Sequence, residues 1–204
     1  MKLTGIAALA VVPMLLFGGT ASADTQTVTY KMRGSAVGQT VDFTVTQTVD
    51  AVAPATAAPG SAVTVVIDPA PNQVPSETGG YQVREIKNLS LRVPVPANST
   101  YRSATLSGGS GLGGTQPTVA LEGSTVVLKL AGPIKGGAAF ELPTLTLNLT
   151  AGSSGTITAK LGGTSYGDPG LSFTAVVLAL GFPVNAPSNG YPDPNPVLAT
   201  TAIG

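Results

Sequence analysis

The stretch that decides the fold runs from Ala139 to Thr150, A-F-E-L-P-T-L-T-L-N-L-T. Leu145, Leu147 and Leu149 fall on one parity, with Thr144, Thr146, Asn148 and Thr150 between them. Such strict alternation specifies a strand with one dry face and one wet face. Phe140 and Leu142 are apolar on the opposite parity, and a one-residue slip sends side chains to the other face. Pro143 stands at the slip. Proline donates no ladder hydrogen bond and is tolerated at bulges and edges, so a bulge or bend is predicted there. The expectation is one long kinked strand that turns the corner of a sandwich.

The same alternation recurs on both sides of this stretch. Val28, Tyr30 and Met32 alternate within Thr25 to Arg33. Val41, Phe43, Val45 and Val49 alternate with Thr40, Asp42, Thr44, Thr46 and Thr48. Val63, Val65 and Ile67 mark a third strand, and Leu89, Leu91, Val93 and Val95 a fourth that Pro94 and Pro96 make an edge or the end of a ladder. Pro117 to Leu130 reads as a hairpin through Glu122-Gly123-Ser124, and Thr156 to Leu161 and Leu171 to Leu180 are two more strands. Between these runs lie Gly- and Pro-rich connections. Pro69 to Gly80 is the longest polar one in the first half, and such loops carry function more often than cores do. No amphipathic helix longer than two turns is evident. Short strands at regular spacing with Gly and Pro turns predict an all-β fold, an immunoglobulin-like β-sandwich over residues 24–180. From Gly181 the chain reads G-F-P-V-N-A-P-S-N-G-Y-P-D-P-N-P, and residues 181–204 are expected to form an extended, proline-rich C-terminal tail.

Residues 1–23 have the form of a secretory signal peptide. Lys2 gives the positive start, Ile6 to Phe17 the apolar core, and Ala21-Ser22-Ala23 the cleavage site. The apolar run is too short for a membrane span and no stop-transfer pattern follows. Thr200 to Gly204 shows neither a hydrophobic tail nor a basic cluster, so no covalent anchor is expected. A secreted or cell-envelope, extracellular protein is the expected location, with no transmembrane span after cleavage. The chain has no cysteine and therefore no disulfide. Without Lys2, nine basic residues face ten acidic ones, a balance that points to neither nucleic acid nor an anionic membrane surface.

Chemistry is sparse. With no His, no Cys and no Trp, the chain has no Ser-His-Asp or Cys-His nucleophile system, no His- or Cys-ligated metal and no haem ligand of those types. No cofactor and no catalysis are expected. Paired carboxylates among Glu77, Glu85, Glu122, Glu141 and the aspartates would be needed for a glycosidase, but Glu122 and Glu141 have no evident neighbour and surface solvation accounts for them. Asp68 and Asp168 each precede a proline and suit ordinary turns better than calcium. The glycine-rich run Gly108 to Gly114 lacks the G-K-[ST] ending of a phosphate loop, and its Leu112 is either a binding tip or a packed loop residue. Thr144 and Thr146, with Thr40, Thr44, Thr46 and Thr48, form hydroxyl stripes that suit carbohydrate or ice; the plainer reading is high β-propensity on a wet face. Tyr191 and its prolines offer an amphipathic tail for a partner groove, or a cover for a sheet edge.

Four runs carry a resemblance: G-Y-Q-V-R-E-I-K-N-L-S-L-R-V-P-V-P from Gly80, A-T-L-S-G-G-S-G-L-G from Ala104, G-T-S-Y-G-D-P-G-L-S-F-T from Gly163 and Y-P-D-P-N-P from Tyr191. They resemble a family of secreted proteins from actinobacteria, over most of residues 24–204. The resemblance implies a small β-sandwich outside the cell or in its wall. Some members are labelled cyclase or dehydratase, for which this chain has no apparatus, and no site residue carries over. Relatives often have cysteines near the first strand and the tail, a clamp this chain lacks. The expected role is structural or binding, at the cell wall, with a wall polymer, a lipid or another envelope protein as partner. The alternatives are a carrier that holds an acyl chain inside a splayed sandwich and, third, a carboxylate glycosidase. A continuous apolar cavity larger than a packing defect is what separates the carrier from the rest.

Overall fold

The computed structural model describes the backbone of residues 21–204 and the side chains of residues 24–204. The signal-peptide expectation over 1–23 therefore lies essentially outside the described residues. In chain order the strands begin with β1 (Ala21–Ala36), β2 (Gln39–Pro54), β3 (Thr56–Ala57), β4 (Ala62–Pro69), β5 (Asn72–Gln73) and β6 (Glu77–Thr78). Then come β7 (Tyr81–Pro94), β8 (Ser99–Ser107), β9 (Thr118–Glu122), β10 (Thr125–Leu130), β11 (Ile134–Lys135) and β12 (Ala139–Phe140). The last are β13 (Thr144–Ala151), β14 (Gly155–Ala159), β15 (Leu171–Ala179), β16 (Phe182–Pro192) and β17 (Ala199–Ile203).

An unbroken path of antiparallel neighbours runs β8-β13-β4-β2-β1-β16-β15-β7-β10-β9. Its two ends, β8 and β9, approach each other, so the sheet curls into a nearly closed, sandwich-like shell. The all-β expectation holds. Leu145, Leu147 and Leu149 are buried and the alternating Thr and Asn of β13 are half-exposed, as the period of two requires.

Two expectations are corrected. Pro143 does more than bend a strand. Ala139–Phe140 pairs with Asn72–Gln73 in a separate two-stranded sheet, and only from Thr144 does the chain join β4 and β8. The missing donor at Pro143, together with the phase change, ends one strand and starts another. The second correction concerns residues 181–204, which are not a tail. β16 lies between β1 and β15, and β17 pairs β14 and β3. The β1–β16 ladder covers only Ser188 to Pro192, so Pro183 and Pro187 fall where β16 has β15 alone as a neighbour, the place where a missing donor is tolerated. β2 runs on through Ala51 to Pro54 and buries Ala51 and Ala53.

Inward positions on β7 do not keep one parity: Val83, Ile86, Leu89 and Leu91 are all buried. Register shifts against β15 at Ser172/Thr174 and Val176/Val177 absorb the slips, and Asn88 takes a positive φ of 54° at one of them.

Candidate functional site

The interior of the shell is not filled. An apolar cavity of about 310 Å³ runs between the faces. Its cause is legible in the side chains: Gly34, Ala36, Ala175, Ala179, Ala186 and Ser188 all point into it from β1, β15 and β16. These positions share the inward parity with Phe43, Phe173 and Val177, but they project little or nothing. The Phe43 and Phe173 rings meet edge to face across this hollow, 6.5 Å between centroids. Native cores close such spaces to near-crystalline density. A volume near 310 Å³ is about twice the engineered ~150 Å³ void that stays dry and takes up benzene. It also sits at the lower end of the ~300–1,000 Å³ typical of ligand sites.

The lining from Leu171 to Ala179 runs the nine residues of β15, eight steps of ~3.3 Å or about 26 Å. The deep end is made by Tyr30, Leu161, Leu91 and Leu171. The other end reaches Val37, Thr78, Tyr81 and Ala179, beside the hairpin turns at Val37-Gly38, Gly79-Gly80 and Leu180-Gly181. Val37 is 71% exposed, so the cavity opens there.

One wall is the Pro69–Gly80 connection that the sequence marks as a functional loop. β2 pairs β4 only over Val49 to Val52, which leaves its first half without that neighbour. The connection fills the gap. Asn72 Nδ2 donates to the Thr46 carbonyl at 2.8 Å, Gln47 Nε2 donates to the Ala70 carbonyl at 2.7 Å, and the Val74 and Gly137 amides donate to Ala138 and Val74. Pro69, Asn72, Gln73, Val74, Pro75 and Thr78 thereby line the cavity.

No charged side chain lines the cavity among the described residues. Its polar groups are few. Ser188 Oγ donates to the Ala186 carbonyl at 3.2 Å. Tyr30 is 2% exposed and its hydroxyl has no hydrogen-bond partner among the described residues. Burial pushes the Tyr30 phenol well above its usual value. The hydroxyl itself has almost no accessible surface, so it is a packed, unpaired group that costs stability, while other atoms of Tyr30 line the cavity.

The residues singled out from sequence are scattered. Leu112 is buried and packs in the core, so it is the packed loop residue and not a displayed tip. Thr144 Oγ1 donates to Asp68 Oδ1 at 2.6 Å, and Thr146 lies between Val66 and Thr105 on the outer face of β13. Tyr191 is the penultimate residue of β16, packed edge to face on Tyr166 at 5.3 Å, with Arg33 over the Tyr166 ring at 4.1 Å. β13 and β16 are separated by β4, β2 and β1, so Thr144 and Thr146 form no site with Tyr191. Asp168 is tied to Arg92 at 2.8 Å and Glu122 to Lys129 at 2.5 Å, in keeping with turn and surface roles. Among the described residues no group of three or more His, Cys, Asp or Glu could hold a metal ion. Sequence reasoning missed the small inward residues. Their signal was the run of Gly, Ala and Ser at inward parity next to Val and Phe.

No family model matches this chain, and no curated protein matches it. A solved structure from Corynebacterium diphtheriae, described as a "putative membrane anchored protein", is similar in fold. Its TM-score is 0.56 at 18% identity, with 89% of this chain and 38% of that one covered. This chain thus spans well under half the length of that protein, and the likeness is one of fold. Among the described residues no helix is long and apolar enough to cross a membrane.

Proposed function

We propose that this protein is a non-catalytic carrier of the cell envelope that holds an acyl chain, or a similarly elongated and uncharged apolar molecule, between the faces of its shell. The observation that carries this reading is the 310 Å³ cavity with no charged lining residue, long and open at one end. Such a site binds by burial of apolar surface, at ~25 cal/mol per Å² removed from water, and no carboxylate, amine or guanidinium lines it among the described residues. The described membrane-anchored character of the Corynebacterium protein and the signal-like residues 1–23 support an envelope location. Leu112 is buried and the proline-rich segment pairs with β15, so neither lends support to wall binding through an exposed tip or a free tail.

The test is a titration with a fluorescent polyunsaturated fatty acid. Saturable uptake by the wild-type chain, weakened by at least ~tenfold in an Ala175→Leu/Ala186→Leu variant, is expected. Equal uptake by both would put the ligand elsewhere.

A further inference from the structure

Two hairpins at the open end of the cavity share an unusual turn. β1 and β2 are joined by Val37-Gly38, and β15 and β16 by Leu180-Gly181. All four residues have positive φ: 51° and 72° in the first, 52° and 83° in the second. Two-residue loops of this kind match the twist of the flanking strands, but they want Asn, Asp or Gly at the first position. A branched or bulky residue there is a genuine outlier. The third hairpin at this end uses Gly79-Gly80, with φ of 59° and 80°, and has no such strain.

The strained side chains are left largely in the open. Val37 is 71% exposed, Leu180 97%, and Phe182 beside it 71%. Strain of this sort persists at positions that serve a function outside local packing. The two tips themselves carry no charge; the charge of the third hairpin at this end is the exposed Glu77, two residues before Gly79. No Asp, Glu, Lys or Arg occurs between Asp168 and Asp193, and the nearest charged pair on the other hairpin, Arg33 and Asp42, sits at least four residues back from Val37. That is ~13 Å along the strand at ~3.3 Å per residue.

We propose that these two tips insert into the surface of a phospholipid bilayer and set the mouth of the cavity against it. A lipid surface fits better than a protein partner. Three side chains on two projecting turns offer on the order of a few hundred Å², against the ~1,200 Å² that a stable protein interface buries. Separate apolar points on turns that carry no charge of their own suit a fluid medium in which ionised groups are costly, with Glu77 of the third hairpin left to the polar headgroup level. Val37 both lines the cavity and projects beyond it, so the inserted surface is continuous with the binding site. The insertion does not depend on the carrier reading; fatty-acid uptake in solution and docking on vesicles are separate measurements.

The chain contains no Trp, which permits a local readout. Phe182→Trp places a reporter on the tip. Leu121→Trp places one on the β9–β10 hairpin at the opposite end, where Leu121 is 41% exposed. With the full chain and phosphatidylcholine vesicles, the tip reporter is expected to shift to the blue and to be quenched by lipids brominated in their acyl chains, while the Leu121→Trp reporter does neither. Adding Val37→Asn and Leu180→Asn, which the turns accept, should weaken the vesicle response at least ~tenfold without loss of fold. An unchanged tip spectrum at saturating lipid overturns the proposal. So does an equal shift at both reporters, which is unspecific adsorption, or a protein-concentration-dependent shift without vesicles, which is a second copy on the tips.

Discussion

Phe43 and Phe173, from strands three neighbours apart in the sheet, touch edge to face because nothing between them projects. In register, Phe43 lies beside Met32 on β1, and Phe173 beside Ser188 on β16, which in turn faces Gly34. A Cβ at Gly34 would lie 3.0 Å from Ser188 Oγ and 3.5 Å from the Phe43 ring. The floor of the cavity is therefore a Gly-Ser pair under two phenyl rings, a tightly curved part of the sheet kept hollow by small residues.

If the hollow serves a ligand, filling it should trade binding for stability. Each Ala→Leu change at Ala175 or Ala186 adds three carbons to a void, at ~0.8 kcal/mol per buried CH₂. The unliganded double variant should unfold at higher denaturant than wild type, by up to about 2 kcal/mol per site. Chemical denaturation of delipidated protein checks this. Destabilisation of both single variants would mean that the space is already closed in solution.

The strained tips give the opposite sign from an ordinary surface change. Val37→Asn and Leu180→Asn put a residue that tolerates positive φ where Val and Leu are held at 51° and 52°. Each should stabilise the fold by roughly 1 kcal/mol. Melts of the two single variants in the absence of lipid measure it, and a lowered midpoint would remove the case for stored strain.

Tyr30 carries an alkaline signature. Its folded value is raised by burial, so its contribution to stability is complete below the ordinary phenol value of ~10 and is lost as pH climbs through the folded value. The wild-type midpoint should fall above about pH 10. Tyr30→Phe should flatten that limb and, by deleting an unpartnered buried hydroxyl, gain about 1 kcal/mol at neutral pH. Denaturant midpoints at neutral and alkaline pH, with and without the substitution, separate the two effects.

On the acid side the signs reverse. A hydrogen bond from Arg33 holds the Asp42 carboxyl below its usual range, and hydrogen bonds from Arg92 and then Thr164 do the same for Asp168. These contributions are present above ~pH 4 and are lost as pH falls through the depressed values. Arg33→Ala and Arg92→Ala should each make the acid limb shallower, an effect that added salt reduces because both pairs are half-exposed. With no His in the chain, little pH dependence is expected between about 6 and 8.

Gly190 tests the corrected course of the chain. In β16 it faces Met32, and a Cβ there would fall 2.0 Å from Met32 Sδ and 2.6 Å from the Lys31 carbonyl. Gly190→Ala should cost 1–3 kcal/mol or more, as overpacking does. A free tail would tolerate the change, so an unaltered melting curve would argue against β16 as a central strand.

How far the sequence can be read depends on which signal each feature leaves. Period-two alternation exposes β2, β4, β13 and β15 directly, because one face of each is dry. β16 hides itself. Its prolines mimic a polyproline tail, and only the paired position of β15 and β1 shows that Pro183 and Pro187 need no donor. The break at Pro143 was visible, but which sheet Ala139–Phe140 joins depends on Asn72–Gln73, distant in sequence. The cavity is harder still. Alternation tells which side chains point inward, but not whether facing residues meet, and Ala175 and Ala186 look like ordinary small core residues until the distance across the shell is known. Val37-Gly38 and Leu180-Gly181 were readable as hairpin turns with the wrong first residue, a cue in the local chemistry that alternation does not weigh.

The central claim is that the hollow between Tyr30 and Val37 exists to be occupied. The most direct measurement is mass spectrometry of the organic extract from full-length protein purified under native conditions out of lipid-containing cells, run beside the Ala175→Leu/Ala186→Leu variant. About one equivalent of an acyl-chain-bearing molecule per wild-type chain, and almost none per variant, is the predicted result at site occupancy well above the dissociation constant. The same extract from both proteins, or an empty one from wild type that also fails to take up added fatty acid, would contradict it.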